Sequence, residues 1–456
     1  MSAANPDVGS LRAEIAGDVV ARGDAGWDAA RQAWNLTADQ RPPLVVLAGS
    51  TADVAATVRF AAANGLKVAP QSTGHGASCM GDLAGTILLR TSRLTAVSVD
   101  PAARTATVAA GALWSDVVGP AAEHGLVGLH GLSATVGVAG YTLGGGIGWL
   151  TRLHGFASTH ARSFEVVGAD GEARRVDAES DPELFWALRG GGGQPVIVTS
   201  FELGLFELRE AFAGALIWPL EEAGAVVGAW REWIATVPDE LSSTLKLIRY
   251  PPLPAVPDQL RGRAVVAIML AFTGSAERGT ELVAPLRAVA APLIDSLATI
   301  PAAGLADVAG DPTNPTPAFG HAALIDRIGI VETDALLAVA GPGVDTPLVS
   351  VEIRHLGGAL RNGDPDPGAA GTLDAEGLFY STAPVTSPQA EETIAAAQAQ
   401  VAERVAPFSD ARDTILTFDE QRPMRDSFTP AVADRLEAIA RARDPEGLFV
   451  ANHVDD

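Results

Sequence analysis

"LKVAPQSTGHGASCMG", residues 66 to 81, sets an apolar run directly against a cluster of small and polar residues with His75 at its centre. A strand that runs out into Ser72-Thr73-Gly74-His75-Gly76 delivers bare backbone N–H groups and one imidazole to a single surface point. The plain alternative is a polar surface turn. What separates the two readings is what the rest of the chain brings to that point.

The chain has 456 residues, more than one hydrophobic core usually serves, so two domains are expected, and 47% hydrophobic residues suffice to fill both. Its 32 Lys and Arg stand against 55 Asp and Glu, a formal net charge of −23, which opposes binding to a polyphosphate backbone. Nucleic acid is excluded as the main partner. No uninterrupted apolar stretch reaches eighteen residues, and "MSAANPDVGSLRAEIAGDVV" lacks a basic segment followed by an apolar one; a soluble, cytoplasmic protein without a membrane partner is expected. A lone cysteine, Cys79, excludes an internal disulfide and a multi-cysteine zinc site and is read as a small packing residue; no metal site is expected. The only lysines, Lys67 and Lys246, do not follow a P-loop glycine, and neither H-E-x-x-H nor G-x-S-x-G occurs. Nucleotide hydrolysis and the commonest protease and esterase chemistries drop out.

Working outward, "PLVVLAGS" reads as a strand and "STADVAATVRFAAANG" as a helix capped by Ser50 or Thr51 and closed at Gly65. "TILLRT", "LTAVSV" and "TATVAAG" are short strands, "SFEVVGADGEARRVD" a hairpin, "DPELFWALRGGGG" a helix stopped by glycines, and "VIVTSFELGLF" another strand. From about residue 210 the elements lengthen: strands at "FAGALIWPL", "STLKLIRY", "AVVAIMLAFTG", "LVSVEIRHLGGAL", "LFYSTAPV" and "TILTF", with helices at "GAVVGAWREWIATV", "SAERGTELVAPLRAVAAPL" and 388 to 405. This half reads as an antiparallel sheet backed by helices, and the fold class as α+β.

The second informative stretch is "GLSATVGVAGYTLGGGIGWLTRLHG", residues 131 to 155. Each glycine costs about 0.5–1 kcal/mol against alanine in a regular element, so the glycines at 137, 140, 144, 145, 146 and 148 mark close approach rather than helix formation. A flat cofactor or a pyrophosphate needs such a surface; so does a tightly packed corner. The run is not a G-x-G-x-x-G, and a nicotinamide site is not indicated.

In order, "STGHG", "TVGVAGYTLGGGIGW", "DPELFWALRGGGG" and "DPEGLFVANH" resemble the vanillyl-alcohol-oxidase superfamily of FAD-linked oxidases, most nearly its berberine-bridge-enzyme-like group, over almost the whole chain. The resemblance implies an FAD domain at 1–208, an antiparallel-sheet substrate domain at 209–422, and a tail, 423–456, that returns to the first. It implies that His75 is bonded to the 8α-methyl carbon of FAD, with Gln71, Ser72, Thr73, Gly74 and Gly76 around the pyrophosphate. It further implies flavin contacts from Ser133, Thr135, Val136, Gly137, Gly140, Tyr141, Thr142, Gly144, Gly145, Gly148, Trp149, Val198 and Asn452.

The departures are informative. Doubly linked members carry C-P-T-V-G-V where this chain has Ser133-Ala134-Thr135-Val136-Gly137-Val138, so a single covalent link is implied. R-S-G-G-H is replaced by Gln71-Ser72-Thr73-Gly74-His75, removing one positive charge near the phosphates. N-F-G-V-V-T is replaced by Gln194-Pro195-Val196-Ile197-Val198-Thr199, and the tyrosine of the sugar oxidases' Y-x-N has no counterpart in "TILTFDEQ". The resemblance implies hydride transfer from a small alcohol, amine or secondary metabolite to FAD and then to O2, which suits Val136, since related dehydrogenases tend to carry leucine there. A dehydrogenase with another acceptor and a flavoprotein that sequesters a redox-active compound are the alternatives. For the base, alternation in "VSVEIRHLGG" puts Val351, Ile353 and His355 on one face and Glu352 and Arg354 on the other; His355 is the first candidate, then Tyr380, then His130.

Overall fold

The computed structural model describes residues 7–408, 412, 414–418 and 423–450. The first sheet has the order Asp18–Ala21, Leu44–Leu47, Thr86–Arg90, Lys67–Gln71, with the last three strands parallel. Leu44, Val45, Val46, Ile87, Leu88 and Leu89 are all buried, as expected where both faces of a parallel sheet are covered. Helix Thr51–Ala63 covers one face; Ser50 caps it by accepting from the Asp53 N–H, and Gly65 follows it with φ +64°. Beyond Lys67–Gln71 the chain's end joins this sheet, where the Val68 N–H donates to the Leu448 carbonyl and the Val450 N–H to that of Val68.

A second, fully antiparallel sheet runs Val97–Asp100, Thr105–Ala109, Ile197–Gly204, Ala161–Val167, Ala173–Val176. Helix Pro182–Leu188, capped by Asp181, ends at the 190–193 glycines and meets helix Pro430–Arg443 through Arg435–Glu183 and Arg443–Asp181 ion pairs.

The third and largest sheet orders Ile294–Asp295, Glu210–Pro219, Ala264–Phe272, Leu241–Arg249, Ser350–His355, Gly377–Pro384, Ala318–Ile325, with Ala298–Pro301 also on Glu210–Pro219. Its two faces differ in kind. Leu245, Leu247, Ile268, Leu270, Val351, Ile353 and Phe379 point at helices Ala223–Ile234, Ala276–Arg287, Ile330–Ala340 and Pro388–Val405. The alternate residues, smaller or polar, face the first half of the chain.

One expected strand is corrected. "TILTF" forms a 3-10 turn, Leu416–Phe418, with Ile415 buried against Gly145, Leu416 against Gly192 and Thr417 set against Gly144. The sheet is closed on that side by Ala318–Ile325, a strand the sequence pattern had not assigned. No described helix is long and apolar enough to cross a membrane.

Candidate active site

The loop after Lys67–Gln71 is held from one side only. Its carbonyls are used: Thr73 O accepts from the Trp34 N–H at 2.9 Å and Gly74 O from the Asn35 N–H at 3.2 Å. Among the described residues, the N–H groups of Ser72, Thr73, Gly74, His75 and Gly76 donate to nothing. Five consecutive unspent donors form an anion cradle. Ser72 Oγ is likewise buried without a partner. His75 stacks on Trp34 with centroids 4.1 Å apart and planes 15° from parallel, and its Nδ1 lies 2.7 Å from Thr73 Oγ1. Burial pushes its pKa down to about 4, so the imidazole is neutral and nucleophilic at pH 7.

A cation missing from this loop is supplied by the neighbouring strand. Arg90 is the parallel-register partner of Gln71; its Nη1 donates to Gln71 Oε1 and to Gln32 O, both at 2.9 Å. Burial lowers its pKa to about 10, which leaves it charged beside the cradle. Register between separated strands is not readable from local sequence, so Arg90 and Trp34 were not identifiable in advance.

The 131–155 stretch folds against the cradle. A Cβ on Gly137 would lie 2.8 Å from Ser72 Oγ, which puts the two loops in contact. Ser133, Thr135 and Val136 are half-buried, with Ser133 Oγ 3.0 Å from Thr135 Oγ1, and Val136 O accepts from the Trp114 N–H. The glycines then divide. Cβ atoms on Gly144 and Gly148 would strike Thr417 Cγ2 at 2.7 Å and His130 O at 1.9 Å; Gly145 and Gly146 have φ of +105° and +76°. Those four are required by packing and backbone conformation. Gly76 and Gly140 are exposed and have nothing within 4 Å of such a Cβ, so a ligand can approach their backbone.

This division makes a paired prediction. Gly148→Ala should destabilise the fold by about 3 kcal/mol, because the carbonyl of His130 has nowhere to go. Gly140→Ala lies inside helix Val138–Leu143 and should stabilise the flavin-free chain by up to about 1 kcal/mol, yet lower flavin occupancy. Thermal melts and absorbance of the purified variants read both; full flavin content in Gly140→Ala would remove that position from the cofactor surface.

Tyr141 is wedged between Gly131 and Gly146 and sits edge-on to Trp114 at 5.5 Å; burial raises its phenol well above the ordinary range, and among the described residues its hydroxyl has no partner. Thr142 Oγ1 and Trp149 Nε1 are likewise buried without a partner among the described residues. Val198 lies in the second sheet, paired with Val166. Asn452 lies outside the described residues.

The open face of the large sheet meets these loops through Ala322, Leu324, Leu378 and Tyr380, which cluster with Ile147, Phe156 and Ile415. Across it, Lys246, Glu352, Tyr380 and Ala322 occupy one lateral row on four adjacent strands. Glu352 Oε2 accepts from Lys246 Nζ at 2.8 Å and Oε1 from Arg354 Nε at 2.6 Å. Burial alone would raise the Glu352 carboxyl; the charges of Arg354 and Lys246 outweigh it and hold the pKa at about 2. Burial would likewise depress Lys246, but Glu352 and Asp311 keep its pKa raised. Neither group exchanges protons near neutrality.

The base candidates are placed apart. Glu352 and Arg354 share the side of the strand that carries Tyr380, while His355, in alternation with Val351 and Ile353, is held at the strand's end. Its Nε2 is 2.8 Å from Arg152 Nη1, and burial with the Arg152 charge takes its pKa down to about 3. His130 is buried against Trp114, donates from Nδ1 to Gly131 O at 2.7 Å, and is kept neutral mainly by burial. Tyr380 sits edge-on to Phe418 at 5.6 Å.

The donors, the open glycines and the unpartnered buried groups fit an extended anionic dinucleotide with a flat ring. Residues 42–177 match the "FAD binding domain" family model. The chain is 36% identical over 205 residues to (R)-6-hydroxynicotine oxidase of Paenarthrobacter nicotinovorans, covering 45% of each. It is 34% identical over 229 residues to glucooligosaccharide oxidase of Sarocladium strictum, covering 49% of this chain and 46% of that one. The matched region thus spans about half the length of these curated relatives. The crystal structure of 6-hydroxy-D-nicotine oxidase from Arthrobacter nicotinovorans superposes with a TM-score of 0.83 at 25% identity, over 97% of this chain and 98% of the other. With that fold, that domain match and that loop geometry, the chain carries an FAD binding domain at residues 42–177 and is similar over nearly its whole length to FAD-linked oxidoreductases of the p-cresol-methylhydroxylase/berberine-bridge-enzyme-like superfamily.

Proposed function

We propose that this protein is an FAD-dependent oxidase that takes a hydride from a small alcohol, amine or secondary metabolite and passes the electrons to O2, releasing H2O2. The observation that carries the reading is the run of five unspent N–H groups at residues 72–76 around a desolvated His75, in contact with the glycine-rich 131–155 stretch through Ser72 and Gly137. FAD, when bound, supplies the two-electron acceptor. Residues 1–208 with 423–456 form the cofactor domain and 209–422 the substrate domain, and His75 carries a single covalent link. The names of two relatives, a nicotine oxidase and an oligosaccharide oxidase, favour a small organic substrate and O2.

The chain's own residues set the conditions for the transfer. Arg90 and the cradle take the pyrophosphate charge, Tyr141 stays protonated, and the aliphatic cluster around Ile147 and Leu378 keeps water away. Tyr380 is the base candidate that shares a side with Glu352, which, already ionised and shared by two cations, holds the row in place.

Oxygen access is the testable part. Val136 is half-buried in the loop next to Gly137, and in a close-packed pocket one added methylene is enough to block the approach of O2. Val136→Leu should slow reoxidation of the reduced flavin by O2 strongly and leave anaerobic reduction nearly intact. Stopped-flow measurement of the two half-reactions reads this directly. A wild type that reoxidises no faster than free flavin would instead make the protein a dehydrogenase.

A further inference from the structure

In a chain with 55 acidic residues against 32 basic ones, a half-buried arginine with spare donors is not short of carboxylates for want of supply. Arg354 is such a residue. It spends Nε on Glu352, and among the described residues its two terminal nitrogens meet no acceptor. Glu352 is not free to take more of its charge, because Lys246 holds the other oxygen. Asp311, the next acid, stands 4.0 Å from Lys246. Lys246 and Arg354 therefore share one close carboxylate, and the surplus positive charge lies at the outer edge of Arg354.

That edge is held in place and aimed. The guanidinium carbon lies 4.7 Å from the Phe418 ring centroid and 6.0 Å from that of Tyr380, so two aromatic rings flank it. Its side chain is only 14% exposed. Tyr141, whose buried hydroxyl has no partner among the described residues, lies within reach of its field. A planar fork with free nitrogens, partly desolvated and walled by aromatic rings, fits a carboxylate better than a neutral group.

We propose that Arg354 binds an anionic group of the substrate, and that the site takes small carboxylates whose oxidised carbon is thereby placed before the cofactor. This rests on the oxidoreductase reading above. Arg354 acts here as a specificity residue, and Glu352 as its positioning residue.

Titration calorimetry of the purified holoprotein with benzoate, phenylacetate and hexanoate, each against its primary amide, tests it, with flavin content recorded separately from absorbance. The wild type should bind at least one acid more tightly than its amide by about tenfold or more. Arg354→Gln, which leaves the Lys246–Glu352 pair intact, should lose that preference, and Arg354→Lys should keep part of it, both with unchanged flavin content. Equal binding of acids and amides by the wild type overturns the inference without any variant. So does a preference that survives Arg354→Gln, or a variant whose only change is the flavin redox potential, which would assign Arg354 to the cofactor. A wild type that carries no flavin counts against the oxidoreductase reading instead, since the acid-over-amide preference is measured independently of it.

Discussion

His75→Ala should yield a folded protein that is yellow when purified and colourless after acid precipitation, whereas Ser133→Ala should keep its flavin through the same treatment. The asymmetry follows from position. His75 stands at the end of the cradle with a neutral, desolvated ring, while Ser133 occupies the place where a second link would need a thiol. Loss of the stacked pair with Trp34 costs about 1 kcal/mol, small against a total stability of about 5–15 kcal/mol, so the variant should fold. The measurement is absorbance of the acid pellet. Pigment retained in the alanine variant would place the link elsewhere or show that none exists.

The second large effect concerns the buried charges. Glu352→Leu leaves Lys246 and Arg354 without their shared carboxylate in a site where Glu352 is only 2% exposed, and should cost about 3–5 kcal/mol. The pH dependence has a definite sign. Because the folded pKa of Glu352, about 2, lies below its ordinary 4.5, its contribution is complete above pH 4.5 and is lost as pH falls from there toward 2. Denaturant melts across that window should show stability falling in the wild type, with a shallower fall in the leucine variant. Parallel curves would mean that the row contributes nothing through Glu352 ionisation.

Local pattern carried much of the architecture and little of the site's assembly. Helix Pro388–Val405 lies where its Ala-rich run placed it, and Ser50, one of the two residues read as caps, caps helix Thr51–Ala63. The strand Ser350–His355 alternates as read. What alternation cannot say is which face meets the cofactor domain, since that depends on where four distant helices settle. "TILTF" failed for a different reason. A five-residue apolar run has too little periodicity to tell a strand from a turn buried against glycines. Arg90 beside Gln71, and Lys246 beside Glu352, are products of strand register over long separations, and no motif announces them. The glycine run was legible as a place of close approach, but only coordinates divide the glycines that accommodate Thr417 and His130 from the two, Gly76 and Gly140, that face open space.

The most direct test of the account is the intact mass of the denatured wild-type chain, followed by mass spectrometry of the peptide that spans residue 75. The account predicts a chain heavier by one FAD, with the adduct on His75 and an unmodified Ser133. An unmodified chain, prepared with FAD available throughout, would contradict it.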